Sequence, residues 1–206
     1  MLTVNNISYE KNQQKILSNI GFTIGLGSAL MLVGKNGIGK STLLKIISGL
    51  ISPTSGEILW NNIPISEFYP EYSGDIQYIG HKNFLKNKLT VTQNLEFYSC
   101  LSNTQILIPA ALHYFGLKHL ANIPIAKLSS GWQQRVILAK LFCCPATIWL
   151  LDEPSNNLDK IGKELLFNMI SVRIKEGGIV LIATHDESLF SLGSKLYLED
   201  FYEQSL

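Results

Sequence analysis

The chain has 206 residues, 46% of them hydrophobic, which suffices for one substantial buried core and makes a single α/β domain the default. Its formal net charge is +1 and only 16% of its residues are charged, so it lacks the basic footprint of a nucleic-acid binder. The mean hydropathy of +0.17 is high, yet no apolar run approaches the about eighteen residues that span a bilayer, so excess apolar surface is expected to meet a partner.

At the start, Met1-Leu2-Thr3-Val4-Asn5-Asn6 carries neither a basic n-region nor an apolar h-region, so no secretory signal is expected and the cytoplasm is the expected compartment. Short strands are predicted over Ile20 to Ile24 and Ala29 to Val33. The second leads directly into Gly34-Lys35-Asn36-Gly37-Ile38-Gly39-Lys40-Ser41, a triphosphate cradle. Its glycines admit backbone conformations closed to other residues, so successive N–H groups converge on phosphate oxygens at the positive end of the next helix. Lys40 would reach the β- and γ-phosphates and Ser41 would offer its hydroxyl to Mg²⁺, while the small Thr42 lets the helix pack near the sheet. Leu43, Leu44, Ile46 and Ile47 have helical spacing, Gly49 marks the C-cap region, and Pro53 stops any continuation.

A strand over Gly56 to Trp60 should run into an Asn61-Asn62 turn, with another strand over Ile76 to Ile79. From Thr90 to about Phe115 the pattern is helical, opened by a Thr90-Val91-Thr92-Gln93 capping box and broken at Pro109. After Pro145 come a strand over Thr147 to Leu151, a helix over Lys160 to Lys175, a strand over Ile179 to Ala183 and an apolar stretch, Lys195 to Leu198. Strands with so little alternation imply a sheet covered on both faces. The expected organisation is one α/β domain, with residues 1–80 and 145–206 as a nucleotide-binding core and about 81–144 as a helical insert. Cys100, Cys143 and Cys144 lack metal-ligand spacing and read as buried, reduced thiols.

The strand over Thr147 to Leu151 ends in Asp152-Glu153-Pro154, and alternation on an extended chain gives the two carboxylates different tasks. Asp152 would hold Mg²⁺ through its water shell opposite Ser41, and Glu153 would polarise the attacking water. Leu128-Ser129-Ser130-Gly131-Trp132 precedes the apolar helical run Val136 to Phe142. Read alone it is an N-cap; read with the cradle, Ser129, the N–H groups near Gly131 and the helix N-terminus form an anion site without a lysine.

The order of cradle, Leu128 to Gly131, Leu150 to Pro154, Asn156-Asn157-Leu158-Asp159 and Thr184-His185 resembles the nucleotide-binding domain of an ABC (ATP-binding cassette) ATPase over essentially the whole chain. That resemblance implies a P-loop NTPase α/β core with an antiparallel β part and a helical subdomain insert. It implies a homodimer sandwiching two ATP molecules, with Ser129, Ser130 and Gly131 of one subunit facing the γ-phosphate held by the other. It makes His185 a γ-phosphate switch residue, Asp159 a D-loop aspartate at the dimer seam, and Tyr9 either an adenine-stacking aromatic or core filling. The family's coupling glutamine falls on His81, and its usual signature glutamine on Trp132; Ser129 and Gly131 keep the contacts attributed to the signature.

Ile79-Gly80-His81, Leu85-Lys86, Leu89-Thr90, Asn94-Leu95-Glu96-Phe97 and Gly56 to Trp60 narrow the resemblance to the cytochrome c maturation haem-exporter ATPases, the CcmA family, with Lys82 where that group commonly has glutamine. The implied protein hydrolyses ATP at the cytoplasmic face of the inner membrane, bound peripherally to CcmB-like and CcmC-like permease subunits. Whether haem is pumped or a haem carrier is released stays open. No C-x-x-C-H motif is present, so direct haem binding is not expected. The ATPase of another small exporter is the nearest alternative; a soluble, non-transport ABC protein would need a second cassette or a basic arm, and a P-loop kinase would have no use for the Ser129 segment or His185.

Overall fold

The computed structural model describes residues 1–80, 85–100, 102–144 and 146–203. In chain order these form β1 (Leu2–Lys11), β2 (Gln14–Ile24), β3 (Ser28–Val33), α1 (Lys40–Ile47), β4 (Ser55–Trp60), β5 (Ile63–Pro64), α2 (Tyr69–Gly74) and β6 (Ile76–Ile79). Then follow α3 (Val91–Cys100), α4 (Ile108–Tyr114), α5 (Ser130–Cys143), β7 (Ile148–Asp152), α6 (Lys160–Lys175), β8 (Ile179–Ala183), β9 (Ser194–Tyr197) and α7 (Asp200–Glu203). No described helix is long and apolar enough to cross a membrane.

Asn12 and Gln13 both take positive φ, 50° and 62°, the conformation of a two-residue hairpin turn whose twist suits the strands it joins. Asn61 and Asn62 repeat it at 52° and 67°, and the result is an antiparallel sheet in the order β2-β1-β4-β5. Strand β1 and the first half of β2 go unpredicted from sequence because register shifts between Val4 and Ile7 and between Ile7 and Tyr9 break the alternation that would announce them.

The second sheet is parallel, in the order β6-β7-β8-β3-β9. Every residue of β7 and β8 is buried, as their continuous apolar runs require. Leu43, Leu44 and Ile47 of α1 join Leu30, Leu150 and Leu181 of this sheet and Leu2, Ile7 and Ile20 of the antiparallel one in a single core. Each such side chain contributes about 1.5–3 kcal/mol on burial, which fixes α1, and with it the loop it starts from, against the ends of the strands.

The chain divides into two units, Met1–Gly80 with Ala146–Glu153 and Val172–Leu206, and His81–Pro145 with Pro154–Ser171. Residues 154–171 therefore group with the helical insert and not with the nucleotide-binding core to which the sequence pattern assigns them. The reason is side-chain chemistry: Gln134 Nε2 donates to Pro154 O at 2.9 Å, and Arg135 Nη2 reaches both carboxylate oxygens of Asp159, all within the second unit. In the same unit the capping box forms in both directions, Gln93 N–H to Thr90 Oγ1 at 3.2 Å and Thr90 N–H to Gln93 Oε1 at 2.9 Å. Cys143 and Cys144 are buried free thiols, the former pushed up to about 12 mainly by burial. Cys100 corrects the expectation: it is exposed at the end of α3, whose inward face is Val91, Asn94, Leu95 and Ser99.

Candidate active site

The parallel register ends β3, β7 and β8 at one edge of the sheet, with Asp152 opposite Ala183, and ligands of open α/β sheets bind beyond such carboxyl ends. From this edge the chain turns through Gly37 and Gly39, at φ 83° and 113°, into α1. A Cβ on Gly39 would stand 2.6 Å from Leu17 Cδ2 and 3.1 Å from Ile16 O, so only glycine lets the loop pass β2 in this conformation. The first turn of α1 carries no acidic residue, which leaves its N–H groups and positive end open to an anion.

Lys40 is buried, 7% exposed, and its Nζ donates to Gly34 O at 2.5 Å and Lys35 O at 3.2 Å while lying 3.1 Å from His185 Nε2. An ammonium only donates, so toward Lys40 Nε2 can act only as an acceptor, whereas toward an oxygen it can act only as a donor, and which role it takes follows the tautomer. The same Nε2 faces two oxygens, Asn36 Oδ1 at 2.8 Å and Glu153 Oε1 at 3.6 Å. Four of the sequence-predicted residues thus meet around one imidazole nitrogen.

Glu153 holds φ 52°, rare for a residue with a side chain, and its N–H donates to Ala183 O at 2.8 Å. This turn follows Asp152, which is 4% exposed and whose Oδ2 is buried without a hydrogen-bond partner among the described residues. An orphaned, buried carboxylate oxygen is costly unless a cation or ordered water completes it. With the half-buried Ser41 early in α1, it is the kind of hard oxygen donor that divalent cations of the magnesium type take.

In the second unit Ser129 is the N-cap of α5 and accepts the Trp132 N–H at 3.4 Å, with Ser130, Gly131 and Trp132 in the first turn. A Cβ on Gly131 would meet Asn157 O at 2.9 Å, so that position needs glycine for close approach alone. Trp132 is held by an edge contact with His119, ring centroids 5.3 Å apart, and by the Arg135 guanidinium 4.9 Å from its ring centre. Asp159 is engaged inside its own unit, by Arg135 and by the Gly162 N–H at 2.8 Å. Tyr9 is half-buried opposite Leu17 and packs against the core, which accounts for it without a ligand. His81 and Lys82 lie outside the described residues. Two participants carry no local signal in the sequence: Glu199, which accepts the Lys35 N–H at 2.8 Å, and Tyr78, whose buried hydroxyl has no partner among the described residues and whose pKa is raised to about 12 by burial and then by the Asp152 charge.

Residues 17–156 match the family described as ABC transporter. The chain is 40% identical over 188 residues to the "Cytochrome c biogenesis ATP-binding export protein CcmA" of Wolbachia pipientis wMel, covering 91% of each. It is 36% identical over 185 residues to the protein of the same name from Escherichia coli O157:H7, covering 90% of this chain and 89% of that one. Among solved structures, a dimeric post-hydrolysis state of an ATP-binding cassette bound to ADP and Pi superposes with a TM-score of 0.84 at 26% identity, covering 96% of this chain and 94% of that one. A putative ABC transporter ATP-binding protein from Pyrococcus furiosus gives 0.83 at 30% identity, covering 97% and 98%.

Proposed function

The chain belongs to the ABC transporter family, and from that premise we propose that it is the ATP-hydrolysing subunit of an exporter that serves cytochrome c biogenesis. The observation that carries the reading is the convergence of Lys40, Asn36, Glu153 and His185 beside the orphaned oxygen of Asp152.

The N–H groups from Gly37 to Ser41 receive the phosphates at the start of α1, and Lys40, already aimed through the loop by Gly34 O and Lys35 O, neutralises the β- and γ-phosphate oxygens. Ser41 and Asp152 are the residues that would hold Mg²⁺, which would supply charge neutralisation at the phosphate oxygens. Glu153 accepts a hydrogen bond from the attacking water and directs its lone pair at the γ-phosphorus. His185 fixes that carboxylate and the γ-phosphate in relation to each other from its place between Glu153 and Lys40. Ser129, Ser130 and Gly131 are read as the anion-binding half contributed by a second copy of the chain, and adenine stacking by Tyr9 rests on the family resemblance alone. We place the chain on the cytoplasmic side of a membrane with integral permease subunits, CcmB-like and CcmC-like, and assign haem contact to those partners. The relatives' names, ATP-binding export proteins, support membrane partners as such.

The test is Glu153→Gln in the complex isolated from membranes. The amide keeps shape and nucleotide binding but is a poor acceptor for the water proton, so phosphate release should fall by about 10²–10⁴-fold with ATP affinity retained. Near-normal turnover would falsify the role of Glu153, and isolation without integral partners would point to a soluble ABC protein.

A further inference from the structure

Glu199 stands beside the entry to the phosphate cradle, 164 positions along the chain from the residue it holds. Strand β9 runs parallel to β3 with Val33 opposite Tyr197, and the buried Leu198 donates its N–H to Val33 O at 3.0 Å. This pairing delivers Glu199 to the turn that follows β3. There Oε1 accepts the Lys35 N–H at 2.8 Å, and Oε2 comes within 3.0 Å of where a Cβ on Gly34 would stand. The bond from Lys35, followed by weaker contributions including the Lys35 and Lys40 charges, holds the carboxyl below its ordinary range.

The Lys35 N–H and the Gly34 C=O belong to one peptide group. In a trans peptide these two point in opposite directions, so fixing one fixes the other. Glu199 grips the N–H side, and the oxygen on the far side is the one that receives Lys40 Nζ at 2.5 Å. We propose that Glu199 is a positioning residue for ATP binding: by clamping the Gly34–Lys35 peptide it presents Gly34 O to Lys40 and so keeps the ammonium aimed into the cradle before nucleotide arrives. The proposal rests on the ATPase reading above. Its consequence is specific. Without the clamp the peptide is free to rotate, Lys40 must be ordered by the nucleotide itself, and the cost falls on binding and not on the chemical step.

Glu199→Ala removes the acceptor, whereas Glu199→Gln keeps an oxygen at the same reach and removes only the charge. In Glu199→Ala, KM and the dissociation constant for ATP should rise about tenfold, the loss of one charge-assisted hydrogen bond, with kcat within about twofold. Glu199→Gln should recover most of that loss. Amide hydrogen exchange in the nucleotide-free full chain should quicken over residues 34–37 in Glu199→Ala and stay near wild type in Glu199→Gln. Should Glu199→Ala fold poorly, Glu199→Asp, whose carboxylate is withdrawn by one methylene, is read in the same way. Unchanged exchange and KM in the acceptor-free variant overturn the proposal, as does a Gln variant no better than Ala or a fall in kcat at constant KM. A wild-type chain that neither binds nor hydrolyses ATP would instead sink the ATPase reading, with the exchange comparison still deciding whether Glu199 holds the loop.

Discussion

Asp159 has an exposed carboxylate, 61% accessible, that nevertheless makes three contacts, two from Arg135 Nη2 at 2.6 and 2.8 Å and one from the Gly162 N–H at 2.8 Å. The Arg135 hydrogen bond first, then that of Gly162, holds it below the usual carboxylate range. A carboxyl whose folded pKa is depressed contributes stability that is fully present above its unfolded value, about 4, and is lost as pH falls through the folded value. Asp159→Asn should therefore melt below wild type at neutral pH by a small margin, since solvent screens so exposed a pair, and the gap should close as pH falls well below 4. Melting curves from about pH 7 to pH 2 test this, and a gap that is independent of pH would remove the ionic contribution. The same residue shows where sequence is silent: its place at the start of α6 is visible in the chain, but Arg135 becomes its partner only because α5 and the 154–171 segment pack in one unit.

Helix ends are the elements most legible in the chain, because their chemistry is local. The Thr90–Gln93 box forms as its residues announce. At the other end of α1, Gly49 takes φ 75° and donates to Ile46 O at 2.9 Å, while Leu50 donates to Lys45 O at 2.9 Å, the two bonds of a Schellman cap. The sequence marks Gly49 as a cap; it does not show that Tyr69 lies over it, so that a Cβ would stand 2.2 Å from Tyr69 Cε2. Gly49→Ala should destabilise the chain by about 2 kcal/mol, combining left-handed strain with displacement of a half-exposed ring. A urea midpoint equal to wild type would show that the ring yields without cost. Strand β1 is the opposite case, since bulges erase the period on which its recognition depends.

For the whole molecule, the cradle belongs to the first unit and the Ser129 segment to the second, and we read the two as halves of active sites completed between copies of the chain. Slowed hydrolysis should then trap the pair: Glu153→Gln with ATP should run as a dimer in light scattering, and adding Gly131→Asp, which sets a negative charge at the anion-binding half, should return it to monomer. A chain that stays monomeric with ATP in the Glu153→Gln background would refute the shared site. The dimeric cassette with ADP and Pi among its structural relatives supports this reading.

By itself the sequence determined the glycine-rich turn into α1, the adjacent Asp152-Glu153 pair and the caps, because each is a device of contiguous backbone in which residues a few positions apart set the geometry. The family followed from the order of those devices along the chain. Only the tertiary structure decided that His185 meets Lys40 and Asn36, 145 and 149 positions away, and that Glu199 clamps the loop from 164 positions away. Such contacts depend on which strands pair and in what register, and a parallel sheet sets both through long crossovers that leave no local trace in the residues they bring together.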